Sequence, residues 1–353
     1  MTAASADRPG RAPDIAIIGA GIIGLSCAWA LARRGARITV YDTAAPGRGA
    51  SWAAAGMLAP GFEAAGEQGA HPELFEFCLA GAALWPDFAD ALTAATGVAL
   101  GFDKTPTLAI ATCAGEAARL AALEAALAAK GVASEALLAS EARALEPTLS
   151  GETEGGLLLP TDMQVDNRAV VAALIDAARQ AGVAFADAEP PEAAVRIQCT
   201  GWRTKGVAPV GGQVVSLSPD AGRPTRVVRA GDLYIVPKSD RTLIGATVEP
   251  GRTRGDADAE IVADLQARAA RLCPTLAAGG VLEAWAGVRP ATPDHAPMIG
   301  WTAPARLVAT GHYRNGVLLA PITAEIVADM ALGGAPSELA AAFAPDRFAA
   351  ATP

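Results

Sequence analysis

Short apolar runs alternate with longer amphipathic stretches at both ends of the chain, whereas in its second half apolar runs follow one another across turns. Residues 14–18 read as a strand buried on both faces. Glycines at 19, 21 and 24 follow, then a helical pattern over 22–34 closed by Gly35 and a second strand over 37–42, which makes a βαβ opening. Pro46-Gly47 marks a loop, and 51–58 is a run of small apolar residues containing Gly56. Pro72 suits the first turn of a long helix reaching Thr96-Gly97. The pattern then predicts a strand over 107–112, helices over 115–130 and 140–145, a strand over 157–159, a helix over 167–181 capped by Gly182, and a strand over 195–199 ending at Gly201. Strand-like runs at 213–217, 233–236 and 242–247 come next, the last two joined by a turn over 237–241 as an antiparallel hairpin. A helix over 256–272, strands over 282–288 and 307–310, and an amphipathic helix over 317–330 complete the chain.

Parallel character thus sits at the start, middle and end, and antiparallel character between. The predicted fold class is mixed α/β, with a Rossmann-like domain built from 1–90, 139–205 and 287–353 and an antiparallel-sheet domain from 91–138 and 206–286. A length of 353 residues suits two domains at roughly 150 residues each. There is no internal repeat. With 52% hydrophobic and 18% charged residues the chain is not of a disordered class. A formal charge of −9 argues against nucleic acid or anionic lipid as partner. Residues 15–32 carry no charge, and Arg8 and Arg11 before them imitate a signal peptide. The fixed glycine spacing and Asp14 at the entry instead favour strand, turn and helix, so no membrane span is expected. Cys27, Cys78, Cys113, Cys199 and Cys273 are too scattered for a metal knuckle or a disulfide framework, and His71, His295 and His312 are too dispersed for a zinc site. The expectation is a cytoplasmic protein without metal.

Gly19-Ala20-Gly21-Ile22-Ile23-Gly24, between a strand and a helix, carries the clearest chemistry. The first glycine permits a tight turn, the second a close approach of pyrophosphate to backbone, the third close helix–strand packing. The helix N-terminus offers free N–H groups to the phosphate. Asp42, ending the second strand 23 residues past Gly19, stands where an acid binds a ribose hydroxyl and argues against a 2′-phosphate. The dinucleotide is FAD or NAD. Small residues at 48–58 would let such a ligand lie against backbone.

Several segments together carry a resemblance: GAGIIG at 19–24, ASWAAAGML at 50–58, LWPDFADAL at 84–92, QVDNRAV at 164–170, LYIVPK at 233–238, LIGATVEP at 243–250, WAGVRPATPD at 285–294 and ATGHYRNGVLLAP at 309–321. In this order they resemble the glycine oxidases of thiamine (thiazole) biosynthesis, in the D-amino-acid oxidase superfamily of flavoproteins. The resemblance implies a D-amino-acid oxidase-like fold and FAD, with pyrophosphate over Gly19–Gly24 and the AMP ribose at Asp42. It places Ala50, Ser51, Ala54, Ala55, Gly56 and Met57 along the cofactor, with Gly201 also beside it. It sets His312, Arg314, Asn315, Gly316, Val317 and Leu318 at the other side of the isoalloxazine, where a helix starting near Gly316 would aim its positive end at reduced flavin. Arg289 matches the arginine that clamps the substrate carboxylate, a role suited to a planar fork. Tyr234 matches the tyrosine completing that site, and Arg314 a second arginine near it. Val248 stands where some relatives have a methionine facing substrate. No side-chain base is needed if the amine reacts neutral and Cα–H is oriented at flavin N5, so His295 and His312 are not read as bases. No cysteine falls in 290–301, where relatives with covalent flavin carry one, so FAD is expected to be non-covalent.

The implied activity is oxidation of glycine, with sarcosine or small D-amino acids as further substrates, to an imine with release of H₂O₂; the imine would supply thiazole synthesis. Partners are then a small amino acid and O₂, and a homo-oligomer stays open. The alternatives are a related amine or D-amino-acid oxidase or dehydrogenase with another substrate or acceptor, and a flavin-binding protein whose catalysis has decayed. Departures from the pattern lie at 184–195, where Glu189-Pro190-Pro191-Glu192 leads almost directly into the next strand, at Cys199-Thr200-Gly201-Trp202, and at Thr105-Pro106-Thr107. The first two bear on how adenine is covered.

Overall fold

A computed structural model describes residues 14–64, 69–188, 193–219, 222–253 and 256–351. Arg8, Arg11 and the segment Glu189-Pro190-Pro191-Glu192, which entered the reading above, lie outside the described residues.

The glycine-rich motif sits on a six-stranded sheet ordered Met298–Ala303, Arg306–Thr310, Val195–Gln198, Asp14–Ile18, Arg37–Tyr41, Ala184–Ala186. All neighbours pair in parallel except Met298–Ala303, an antiparallel edge. Helix Ile22–Arg33 packs between Asn167–Gln180 and Ala320–Ala331 beside it, and Leu74–Thr96 packs on the latter two. Ile15, Ile17, Ile38, Val40, Ile197 and Leu307 share one face of the sheet, whereas on the other Thr39 and Arg196 are half-buried and Gln198 is exposed, so Arg37–Tyr41 and Val195–Gln198 alternate while Asp14–Ile18 reads as an apolar run. Those six are at most 2% exposed, each such burial stabilising by about 1.5–3 kcal/mol. Asp166 caps Asn167–Gln180 by accepting from the N–H of Arg168 (2.9 Å) and Ala169 (3.2 Å).

The second sheet runs Glu249–Pro250, Ala208–Leu217, Thr242–Gly245, Leu233–Pro237, Val228–Ala230, Thr107–Ala111, Gly155–Leu159, Glu135–Leu138, with Val281–Ala291 on the other side of Ala208–Leu217. Its pairings are antiparallel apart from Val228–Ala230 with Thr107–Ala111. The expected hairpin of 233–236 with 242–247 is present as Leu233–Pro237 with Thr242–Gly245.

The structure departs from the sequence reading at several elements: strands Glu135–Leu138, Val228–Ala230 and Met298–Ala303 have no counterpart in it at all. The strands predicted over 213–217 and 282–288 face each other at one end of a longer ribbon, Ala208–Leu217 with Val281–Ala291, because Pro209, Gly211, Gly212 and Pro290 break the apolar pattern without breaking the ladder. Ala184–Ala186 adds a short edge strand where a connection was expected. The helix predicted to begin near Gly316 begins at Ala320, and 316–319 is a turn in which Leu319 N–H donates to Asn315 O (2.8 Å). No helix among the described residues is long and apolar enough to cross a membrane.

Candidate active site

One cavity of about 1330 Å³ runs from the Gly19–Gly24 turn to the long ribbon of the second sheet. That exceeds the 300–1,000 Å³ usual for one small ligand and leaves room for a dinucleotide and a small molecule together.

At its first end the backbone lies bare. Gly19 has φ +109°, and a Cβ there would meet Cys199 O at 2.4 Å; a Cβ on Gly24 would meet Gly19 O at 2.0 Å. Gly24 therefore lets the helix start directly on the turn and is set behind the cavity wall. The helix has no side-chain cap of its own. Ser51, from the small-residue segment, supplies one: its Oγ accepts the Ile22 N–H at 2.9 Å, leaving the hydroxyl proton for a ligand. Asp42 lines the cavity, accepts the Ala20 N–H at 2.8 Å and the Ala44 N–H at 2.9 Å, and so ties the second strand to the turn. Ala20 contributes through that bond and is not itself on the wall. Gly21, Ile22, Ile23 and Gly201 are.

The side wall is Ala50, Ser51, Ala54, Ala55, Gly56 and Met57, all facing the cavity. It is held from the elements of both sheets: Asn167 Nδ2, on the helix beside the first, donates to Ser51 O (2.7 Å), and Trp285 Nε1, on the long ribbon of the second, to Ala53 O (3.0 Å). Gly56 has φ +74°, and a Cβ there would meet Val165 O at 2.2 Å. Lys238 braces the same place, donating from Nζ to Val165 O (2.5 Å) and Gln164 Oε1 (3.1 Å); burial pushes its ammonium down to about 7.

Arg289 and Tyr234 meet at the far end. Arg289 Nη1 donates to Gly211 O (3.1 Å) and Thr247 O (3.2 Å), and among the described residues no carboxylate pairs with it. Its guanidinium lies across Gly212, where a Cβ would stand 2.4 Å from Nη1 and 2.7 Å from Nη2. Tyr234 lies across Gly245 in the same way, a Cβ there being 2.5 Å from the hydroxyl oxygen. Burial pushes the Tyr234 phenol up, against the opposing pull of Arg289, so it remains a hydroxyl and can donate. Val248 reaches the wall and is half-exposed.

The opposite wall is 312–317. His312 is buried, its Nε2 3.1 Å from Thr323 Oγ1, and burial pushes its ring down to about 3, so the imidazole is neutral. Asn315, Gly316 and Val317 face the cavity, whereas Leu318 turns away and its carbonyl accepts from Trp85 Nε1 (2.9 Å). Asn315 Nδ2 is buried and has no partner among the described residues. Bare glycines at one end, an orphaned amide donor at the other, and a cavity of this length fit a flavin dinucleotide.

Sequence reasoning missed a charged cluster beside Tyr234. Glu63 Oε1 accepts from Arg229 Nη1 (2.6 Å) and Oε2 from Arg314 Nη1 (3.1 Å). Burial would raise the Glu63 carboxyl, but the two guanidiniums hold it at about 2. Asp162, buried, accepts the N–H of Gly61 (2.7 Å) and Phe62 (3.0 Å), which fixes the turn carrying Glu63; burial pushes its carboxyl up to about 7 against those bonds. Arg229 sits in a short apolar-flanked strand and Glu63 in an irregular turn, so neither belongs to a periodic pattern. Gly212 carried no chemical signal either.

The pattern of the FAD dependent oxidoreductase (DAO) family matches residues 14–330. A glycine oxidase of Geobacillus kaustophilus is 33% identical, the match covering 90% of this chain and 92% of that protein. The bifunctional protein ThiO/ThiG of a Synechocystis species is 32% identical over 96% of this chain, which spans about half (54%) of that longer relative. The crystal structure of glycine oxidase from Geobacillus kaustophilus superposes with a TM-score of 0.85 at 30% identity, covering 92% of this chain and 96% of the other.

Proposed function

The chain belongs to the DAO family of FAD-dependent oxidoreductases, and from that premise we propose that it is a glycine oxidase, acting on glycine and related small amino acids with O₂ as acceptor. The observation that carries this reading is Arg289: a guanidinium held, among the described residues, only by carbonyls, beside a neutral tyrosine, in the cavity that begins at the glycine-rich turn. Gly19, Gly21 and Ile22, with the Ser51 hydroxyl, would hold the pyrophosphate, and Asp42 the ribose; 54–57 and 312–317 would flank the ring. FAD, when bound, supplies the two-electron acceptor for the Cα hydride and is regenerated by O₂ with release of H₂O₂.

The chain's own residues bind and orient. Arg289 pairs both carboxylate oxygens of the amino acid, and the Tyr234 hydroxyl donates to one of them. Held at two points, the substrate presents Cα–H in one direction, the largest contribution the protein makes to such a transfer. His312 is neutral and committed to Thr323, and takes no proton. The positive surroundings of Arg289, Arg229 and Arg314 favour the neutral amine, which needs no base. The imine leaves for thiazole synthesis or hydrolyses to glyoxylate and ammonia. We place the reaction in the cytoplasm. The test is product balance: holoenzyme with glycine in air should form glyoxylate, ammonia and peroxide in equal amounts. Glyoxylate without peroxide would mean another acceptor, and no product from any small amino acid would refute the reading.

A further inference from the structure

Three guanidiniums, Arg289, Arg229 and Arg314, act on the Tyr234 hydroxyl together with the carboxylate of Glu63, while the Asp162 carboxyl, pushed up to about 7 and bonded to the Gly61 and Phe62 N–H groups, acts on Arg229 and Glu63. Glu63 has both oxygens engaged by guanidiniums and is not open to a further cation. Glu116 and Asp232 reach the same cavity but are engaged by Thr112 and Arg268.

Arg229 itself is underused. It is 3% exposed and lies on the cavity wall, its guanidinium 3.9 Å from the centre of the Phe62 ring. Nη1 donates to Glu63 and lies 3.6 Å from Met57 Sδ; among the described residues Nε and Nη2 donate to nothing, and Nε is sealed from solvent. If Arg229 served only to neutralise Glu63, Arg314 would already do so. A buried guanidinium with unspent donors is costly until an anion reaches it. We infer that the site takes amino acids bearing a second carboxylate, Arg289 holding the α-carboxylate and Arg229 the other, so that Arg229 is a specificity-determining residue. This rests on the oxidase reading for turnover but not for binding. For N-(carboxymethyl)glycine the same chemistry balances: a Cα hydride and the amine proton leave, O₂ becomes H₂O₂, and water splits the imine into glyoxylate and glycine.

Diglycolate, an ether dicarboxylate with no amine to oxidise, separates binding from turnover. The holoenzyme is titrated with diglycolate and with diglycolamic acid, its monoamide, following the perturbation of the flavin band. The wild type should bind the dicarboxylate about tenfold or more tightly than the monoamide, as one charge-assisted contact implies. In Arg229→Met that preference should fall below about threefold on the same scale. Arg229→Gln, which keeps donors and drops the charge, provides a second variant should the first fail to retain flavin. Equal affinities in the wild type, no binding of either ligand, or an undiminished preference in the variants would overturn the inference. A preserved preference in an enzyme that does not oxidise glycine would sink the oxidase reading and leave this one standing.

Discussion

Gly212→Ala tests the geometry of the carboxylate site without touching a charged group. Gly212 pairs with Gly287 in the long ribbon, and its backbone is not in the left-handed region, so alanine adds no conformational strain there. The whole effect falls on what the new Cβ meets: Arg289 Nη1 at 2.4 Å, Nη2 at 2.7 Å and Thr247 O at 2.7 Å. Ordinary contact begins at about 3.5 Å, so the guanidinium must retreat by about 1 Å. It is not free to do so cheaply, because Nη1 is bonded to Gly211 O and Thr247 O, and each bond from a charged donor contributes about 1.5–3 kcal/mol. A misplacement of about 1 Å at a positioning group costs on the order of 10²-fold in rate, or about 2.7 kcal/mol. The expected result is a loss of about 10² in kcat/KM for glycine, with flavin content unchanged since the nucleotide end is remote. The assay is peroxide release against glycine concentration, with Gly151→Ala, whose Cβ meets nothing within 4 Å, as control. A Gly212→Ala enzyme within about twofold of wild type would show that catalysis does not depend on Arg289 where the structure places it.

Other expectations follow from the same geometry. Gly24→Ala drives a Cβ to 2.0 Å from Gly19 O and should abolish flavin retention, read as the ratio of flavin absorbance to protein in the purified material. Ser51→Ala removes the acceptor of the Ile22 N–H and should cost about 1 kcal/mol of stability together with weaker FAD binding, measured by thermal melting and by flavin release on dilution. His312, pushed down to about 3 when folded, binds its proton near 6.5 in the unfolded chain; its contribution is therefore present above 6.5 and lost as pH falls toward 3. His312→Gln should flatten the decline of melting temperature between pH 6.5 and 4, and an unaltered decline would assign that decline to other groups. Lys238, pushed down to about 7, should behave likewise on the alkaline side: its stabilising share shrinks as pH falls from about 10 to 7, and Lys238→Met should remove that slope from denaturant titrations.

The nucleotide end was legible in the sequence because local rules dictate it. A tight turn between strand and helix demands glycine at 19 and 24 for steric reasons that act over a few residues, and Asp42 follows at the length of one βαβ unit. The antiparallel hairpin at Tyr234 was legible from apolar runs about a turn. Arg289 and Tyr234 entered through resemblance, since neither a strand arginine nor a strand tyrosine announces chemistry by itself. What stayed hidden depends on distant pairing. Gly212 matters only because Arg289, 77 residues on, folds across it. Glu63, Arg229 and Arg314 become one cluster only when an irregular turn, an interior strand and the turn before the last long helix converge. The late start of that helix at Ala320 reflects Pro321, which fits the first turn of a helix, so the apolar pattern over 317–319 packs as a turn instead.

The central claim is that the cavity holds FAD and an amino-acid carboxylate on Arg289 at once. An anaerobic titration of the holoenzyme with glycine, following the oxidised flavin band, tests it directly. The account predicts bleaching to completion, reversed by air with one equivalent of peroxide, and in Arg289→Met the same bleaching only at far higher glycine. A flavin band that no small amino acid bleaches, or an Arg289→Met enzyme bleached at the wild-type concentration, would contradict it.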